Sequence, residues 1–132
     1  MKVGLAIRSL LTSNSAVEAL ISGRVYPEQA PEGAQAPFVV YSVISNTPSD
    51  SKNGTPVDEA QVEIFSVNTT YANTNDLADK VRAALDRSKV SVSVAEGQIR
   101  VDSIHYTNEV TEVNTEKKLY VAIQDYTIRI LR

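Results

Sequence analysis

Residues able to do chemistry are few in this chain and poorly spaced for one another. The single histidine, His105, stands three positions after Asp102. A carboxylate that orients an imidazole is the start of a general base. Side chains alternate across a strand, however, so residues three apart fall on opposite faces unless a bulge intervenes. A lone strand histidine is ordinarily a packing or surface residue. Glu109, Glu112 and Glu116 cluster near a hairpin tip, where carboxylates could bind a hard cation weakly. A solvated charge run explains them better. Asp50, Ser51 and Asn53-Gly54 lack the ligand order of a calcium loop. Asn68-Thr69-Thr70 spells a glycosylation sequon, which carries meaning only on a secretory route. With no cysteine in the chain there is no thiolate nucleophile, disulfide or thiolate metal site. No G-x-S-x-G, H-E-x-x-H or Gly-rich phosphate loop occurs. The expectation is no catalytic set, no cofactor and no metal.

Charge narrows the partners. The formal net charge is −3 over 132 residues, and the basic residues are scattered. Lys80, Arg82, Arg87 and Lys89 are offset by Asp76, Asp79 and Asp86. No basic patch is interleaved with aromatics, so sequence-specific nucleic-acid readout is not expected. No window approaches the roughly 20 apolar residues that span a bilayer, and Met1-Lys2-Val3-Gly4-Leu5 does not open a signal peptide. These features fit a soluble protein made and used in a cytosol, folded as one domain over residues 1–132.

The most distinctive segment carries shape instead of chemistry. From Arg24 to Tyr41 the chain reads RVYPEQAPEGAQAPFVVY. Pro27, Pro31 and Pro37 each fix their own φ and push the preceding residue toward extended geometry. The spacing predicts a stiff, ordered strap between an apolar helical segment and a strand.

Around the strap, periodicity places the elements. Val3, Ala6, Ile7, Leu10 and Leu11 recur at helical spacing over 3–12. Ser15-Ala16-Val17-Glu18 reads as a capping box before a second short stripe, Val17, Leu20 and Ile21, that ends at Gly23. Phe38 to Ser45 is a strand with both faces apolar, 46–56 a long, mobile hairpin loop, and 57–68 the next strand. Residues 71–87 form the clearest helix, with Leu77, Val81, Ala84 and Leu85 on one face. Val90, Val92 and Val94 alternate with serines, 98–108 and 119–131 are strands, and the polar stretch 108–118 connects them. The order is α-α-β-β-α-β-β-β. That is an α+β domain with a largely antiparallel sheet of roughly four to five strands and two to three helices mainly on one face.

Three strands change the parity of their apolar set. In 57–68 it is Ala60, Val62 and Ile64, then Phe65 and Val67. In 98–108 it is Ile99 and Val101, then Ile104 and Tyr106. In 119–131 it is Leu119, Val121 and Ile123, then Tyr126, Ile128 and Ile130. A bulge would restore one face in each strand. Otherwise each strand is buried on opposite faces at its two ends, one under helices and one against a second subunit. Both readings stand at this point. The candidate interface residues are therefore Phe65, Val67, Tyr126, Ile128 and Ile130, joined by Lys52, Asn53 and Gly54 of the first loop and Val110 and Val113 of the second tip.

Taken together, Val17-Glu18-Ala19-Leu20-Ile21 leading into Arg24-Val25-Tyr26-Pro27, then Pro37-Phe38-Val39-Val40-Tyr41, then Tyr71 followed by Leu77-Ala78-Asp79-Lys80-Val81-Arg82-Ala83-Ala84-Leu85, resemble the small tail-completion proteins of long-tailed bacteriophages. These are also called tail terminator or head–tail joining proteins. The resemblance runs in order along nearly the whole chain, and from Ser88 on it is one of general character. It implies a structural virion protein, not an enzyme. It implies a homo-hexameric ring at the head-proximal end of the tail tube, made in the host bacterial cytoplasm. Such a ring stops tube polymerisation, meets the tail tube protein and head–tail connector proteins, and lets DNA pass through its lumen unread. A ring needs a heterologous interface, in which two different patches of the subunit meet. The alternatives are another head–tail connector or minor tail protein, or a small enzyme or ligand-binding domain.

Overall fold

The computed structural model describes residues 3–50, 56–87, 91–94 and 97–131. Helices α1 (Val3–Ser13) and α2 (Ser15–Ile21) come first. Strands β1 (Val25–Pro27), β2 (Phe38–Asp50) and β3 (Pro56–Asn68) follow, then α3 (Tyr71–Leu85), β4 (Ser91–Val94), β5 (Gly97–Asn114) and β6 (Leu119–Leu131). The sheet order is β1-β2-β3-β6-β5-β4. All pairings are antiparallel except β1 with β2. The fold is the α+β architecture expected, in the order expected, with one short parallel strand added from inside the strap.

Local chemistry accounts for the helix boundaries. The break between α1 and α2 falls at Asn14, whose Oδ1 accepts from Val17 N at 3.1 Å. Asn14 is therefore the N-cap, in place of the Ser15 expected, and Ser15 is the first residue of the helix. Ser22 and Gly23 then turn left-handed, at φ 49 and 77, and end the helix. Thr70 caps α3, accepting from Asn73 N at 3.1 Å. The buried side of α3 carries Thr74, Leu77, Ala78, Val81 and Leu85. Burying each of its large apolar side chains stabilises the fold by roughly 1.5–3 kcal/mol.

All three helices lie on one face of the sheet. Ile7, Leu11, Val17, Ile21, Leu77, Val81 and Leu85 pack on Val39, Val62, Ile64, Ile104, Tyr126 and Ile128 in one core. Gly4 brings α1 against β2, since a Cβ there would lie 3.0 Å from the Tyr41 ring.

Both hairpins are longer than the sequence suggests. β2 runs on to Asp50 and β3 starts at Pro56, with Thr47 paired to Glu59 and Pro48 to Asp58. The expected 46–56 loop is therefore strand at 46–50 and at Pro56, while 51–55 lie outside the described residues. β5 likewise continues to Asn114, paired to Leu119, so the 108–118 connection shrinks to the turn around residues 115–118. These extensions are polar because they lie at exposed sheet edges, where no apolar alternation is demanded.

The parity question divides by strand. β5 carries register shifts between Val101 and Ser103 and between Tyr106 and Asn108, so Ile99, Val101, Ile104 and Tyr106 return to the helix face. β3 and β6 pair without any shift over their whole length. Their apolar sets do change face. Ala60, Val62, Ile64, Tyr126, Ile128 and Ile130 lie under the helices, and Phe65, Val67, Leu119 and Val121 lie on the other side.

Candidate assembly surfaces

The second face begins under the strap. Phe38, Val40 and Val67 are buried there, with Tyr26, Ala30, Ala34, Ala36, Phe65, Leu119 and Val121 packed around them. The strap is pinned at its entry, its middle and its exit. Arg8 Nη1 donates to Val25 O at 2.7 Å, and Arg24 Nε to Pro37 O at 2.9 Å. Glu28 accepts from Ser42 Oγ at 2.7 Å and from Val43 N at 3.2 Å, while its own N–H donates to Tyr41 O at 2.7 Å. The Tyr26 and Phe38 rings sit 5.9 Å apart.

Beyond the strap this face is open. Its cross-strand rows, read over β2, β3, β6 and β5, are Val40–Phe65–Ile123–Val110, then Ser42–Glu63–Asp125–Asn108. The first of these rows is partly covered and apolar; the second is polar. Further rows bring Gln61, Thr127 and His105 together, then Glu59, Arg129 and Ser103.

The sequence-derived candidates separate on this frame. Phe65 is half-buried and Val67 buried beneath the strap. Tyr126, Ile128 and Ile130 lie in the helix-covered core of the subunit itself, so their side chains leave almost no surface for a second chain. Val110 and Val113 are exposed, at 47% and 54%, on opposite faces of the β5 edge. Lys52, Asn53 and Gly54 lie outside the described residues. Sequence reasoning missed Ile44 and Tyr71, exposed at 58% and 59%. Ile44 shares parity with Phe38 and Val40 in sequence, but a β2 register shift between Val43 and Ser45 turns it out to solvent. Tyr71 stands edge-on to Tyr120, ring centroids 6.1 Å apart, and Val113 is the cross-strand partner of Tyr120.

No catalytic arrangement emerges among the described residues. His105 is exposed, and no hydrogen bond or ion pair joins it to Asp102. No set of three or more His, Asp or Glu side chains converges to hold a metal ion there. Glu109 instead accepts from Gln124 Nε2 at 2.6 Å. Asn68 of the sequon is buried, its Oδ1 accepting from Thr69 N at 2.8 Å. No helix among the described residues is long and apolar enough to cross a membrane.

The hydrogen-bonded buried polar groups serve the fold. Gln124, fully buried, donates to Ala78 O at 3.0 Å as well as to Glu109, and accepts from the Tyr126 hydroxyl at 2.9 Å. One side chain thus ties α3 to the central strand β6 and to its neighbour β5. Burial, and then the Asp86 carboxylate, push the Tyr126 hydroxyl far above the ordinary phenol range. At the other end of α3, Asp86 accepts from Tyr106 N at 3.1 Å, and the Arg82 guanidinium lies 3.8 Å from the Tyr106 ring centroid.

Among the described residues, three helices cover one face of an open sheet and the strap covers only part of the other. The family model described as Tail completion protein gp17 matches residues 5–131, and the chain belongs to that family. Among solved structures it is similar to a chain of the virion of a native gene transfer agent particle. The TM-score is 0.73 at 16% identity, over 98% of this chain and 95% of that one. No curated protein matches the chain.

Proposed function

We propose that this tail-completion protein forms a hexameric ring on the head-proximal end of a virion tail tube, ends tube polymerisation there and presents the surface that docks on the filled head. The observation that carries this reading is the family match over residues 5–131. The likeness in fold to a chain from a virion particle supports it. DNA passes through the lumen without being read, and the net charge of −3 per subunit favours sliding over gripping. Its partners on this reading are other copies of itself, the tail tube protein and the head–tail connector proteins. Particles assembled without the protein test it. Tails of abnormal length that fail to join heads are expected, and tails of normal length would move the role to the connector.

A further inference from the structure

The row Ser42–Glu63–Asp125–Asn108 contains a costly arrangement. Glu63 and Asp125 stand directly opposite each other on paired antiparallel strands, and like charges so placed destabilise a sheet. Both residues are only half-exposed. Asp125 accepts from Asn108 Nδ2 at 3.3 Å, and among the described residues no Lys or Arg makes an ion pair with either carboxylate. Two register shifts lie on the flanking strands to one side of the row, at Thr107 of β5 directly below it and at Ile44 of β2 one level further on. Bulges bend a strand and increase its twist. Ile44, Gln61, Glu63, Thr107 and Asp125 line a shallow cavity of about 380 Å³ at this point, with Ile44 58% exposed at its edge.

The opposite charge is found elsewhere on the same chain. Lys117 and Lys118 occupy the β5–β6 turn next to Glu116, exposed and without an ion-pair partner among the described residues, and Val113, beside Glu112 on the same tip, is 54% exposed. A subunit cannot bring its own two patches together. Leu119 and Asp125 lie along one straight strand, which separates tip and cavity by roughly 20 Å at ~3.3 Å per residue. That is well beyond the reach of a lysine.

We infer that the Lys117–Lys118 tip of one copy of this chain seats in the Glu63–Asp125 cavity of the next, with Val113 against Ile44. The two patches differ and lie at different places, so the contact is heterologous and repeats from subunit to subunit until it closes. The inference rests on the ring reading above. Opposite charges set the register and speed the encounter, and salt weakens both.

Charge exchange tests it, read by native mass spectrometry and sedimentation at low salt. The chain carrying Lys117→Glu with Lys118→Glu is expected to assemble roughly tenfold more weakly. So is the chain with Glu63→Lys and Asp125→Lys, and the chain carrying all four changes is expected to recover. Because a lysine on β6 could unfold the sheet, Glu63→Gln with Asp125→Asn gives a second reading. It removes the repulsion, so the subunit should melt no lower than wild type while assembling more weakly. Rings that form equally well in all these variants overturn the contact and leave the ring standing. A wild-type chain that stays monomeric at every concentration and ionic strength removes both.

Discussion

The two faces of this sheet are built by different rules. On one, three helices close a continuous core from Val3 to Ile130, and buried polar groups such as Gln124 are hydrogen-bonded. On the other, a proline-rich strap covers only Phe38, Val40 and Val67 and their neighbours. The rows beyond it include a half-exposed like-charge pair. The first face is finished within the subunit. The second is stable enough to exist but leaves apolar and charged groups unmatched, and on the proposed reading these are the groups that meet other chains. β3 and β6 belong to both faces, and their switch of parity marks the division.

The largest test of the difference is to charge each face in turn. Ile128→Glu places a carboxylate in a site that is 1% exposed, beyond the ~2–5 kcal/mol that merely truncating a buried isoleucine costs. The subunit should fail to fold, with loss of its circular dichroism spectrum. Phe65→Glu, on the half-covered face, should leave a folded chain with stability lowered by about 1–2 kcal/mol in urea titrations. Equal damage by both would mean that the strap face is as much a core as the helix face.

Gln124→Ala probes the finished face more gently. It strips the Tyr126 hydroxyl and Ala78 O of their partner in a buried site. The expected cost is roughly 2–4 kcal/mol, seen as a lowered urea midpoint.

Tyr126 also predicts an alkaline limit. Its folded ionisation lies far above that of the unfolded chain because burial penalises the phenolate. A group raised in this way contributes stability that is complete below the unfolded value near pH ~10. That stability declines by roughly 1.4 kcal/mol per pH unit above it. Denaturation midpoints should therefore fall as pH rises past about 10. Tyr126→Phe should flatten that fall while losing about 1 kcal/mol at neutral pH.

How much of this was legible in the string follows the same division. Helices α1 to α3 and the core strands were readable because a covered face demands periodic apolar residues, as at Leu77, Val81 and Leu85. The distal arms were not readable. Asn46, Thr47 and Pro48, or Asn108 to Asn114, sit at open edges where polar residues and a proline are tolerated, so they read as loop. β1 was hidden because three residues inside a strap, one of them Pro27, carry no period. The Val101-to-Ile104 spacing was open to the bulge that β5 carries there and equally to a strand buried on both faces. Gln124 left a weaker mark, a polar residue at the parity of Tyr126 and Ile128, and only the fold reveals that it is satisfied there. Glu63 and Asp125 each look like ordinary outward residues. Their opposition depends on a register between strands that are distant in sequence.

The smallest expected effect on the subunit separates folding from assembly most cleanly. Val110 is 47% exposed and pairs across to Ile123 on the strap-side face. Val110→Ser removes little buried area, so the urea midpoint should move by no more than about 0.5 kcal/mol. If the open face is where other chains meet this one, the same change removes apolar surface from a contact repeated around the whole assembly. Its effect then appears in the concentration at which rings form. A stability loss without an assembly loss would place Val110 on the finished side of the molecule and shift the boundary between the two faces toward the β5 edge. An assembly loss without a stability loss fixes that boundary between Glu109, which is tied to the core through Gln124, and its neighbour Val110, which is not.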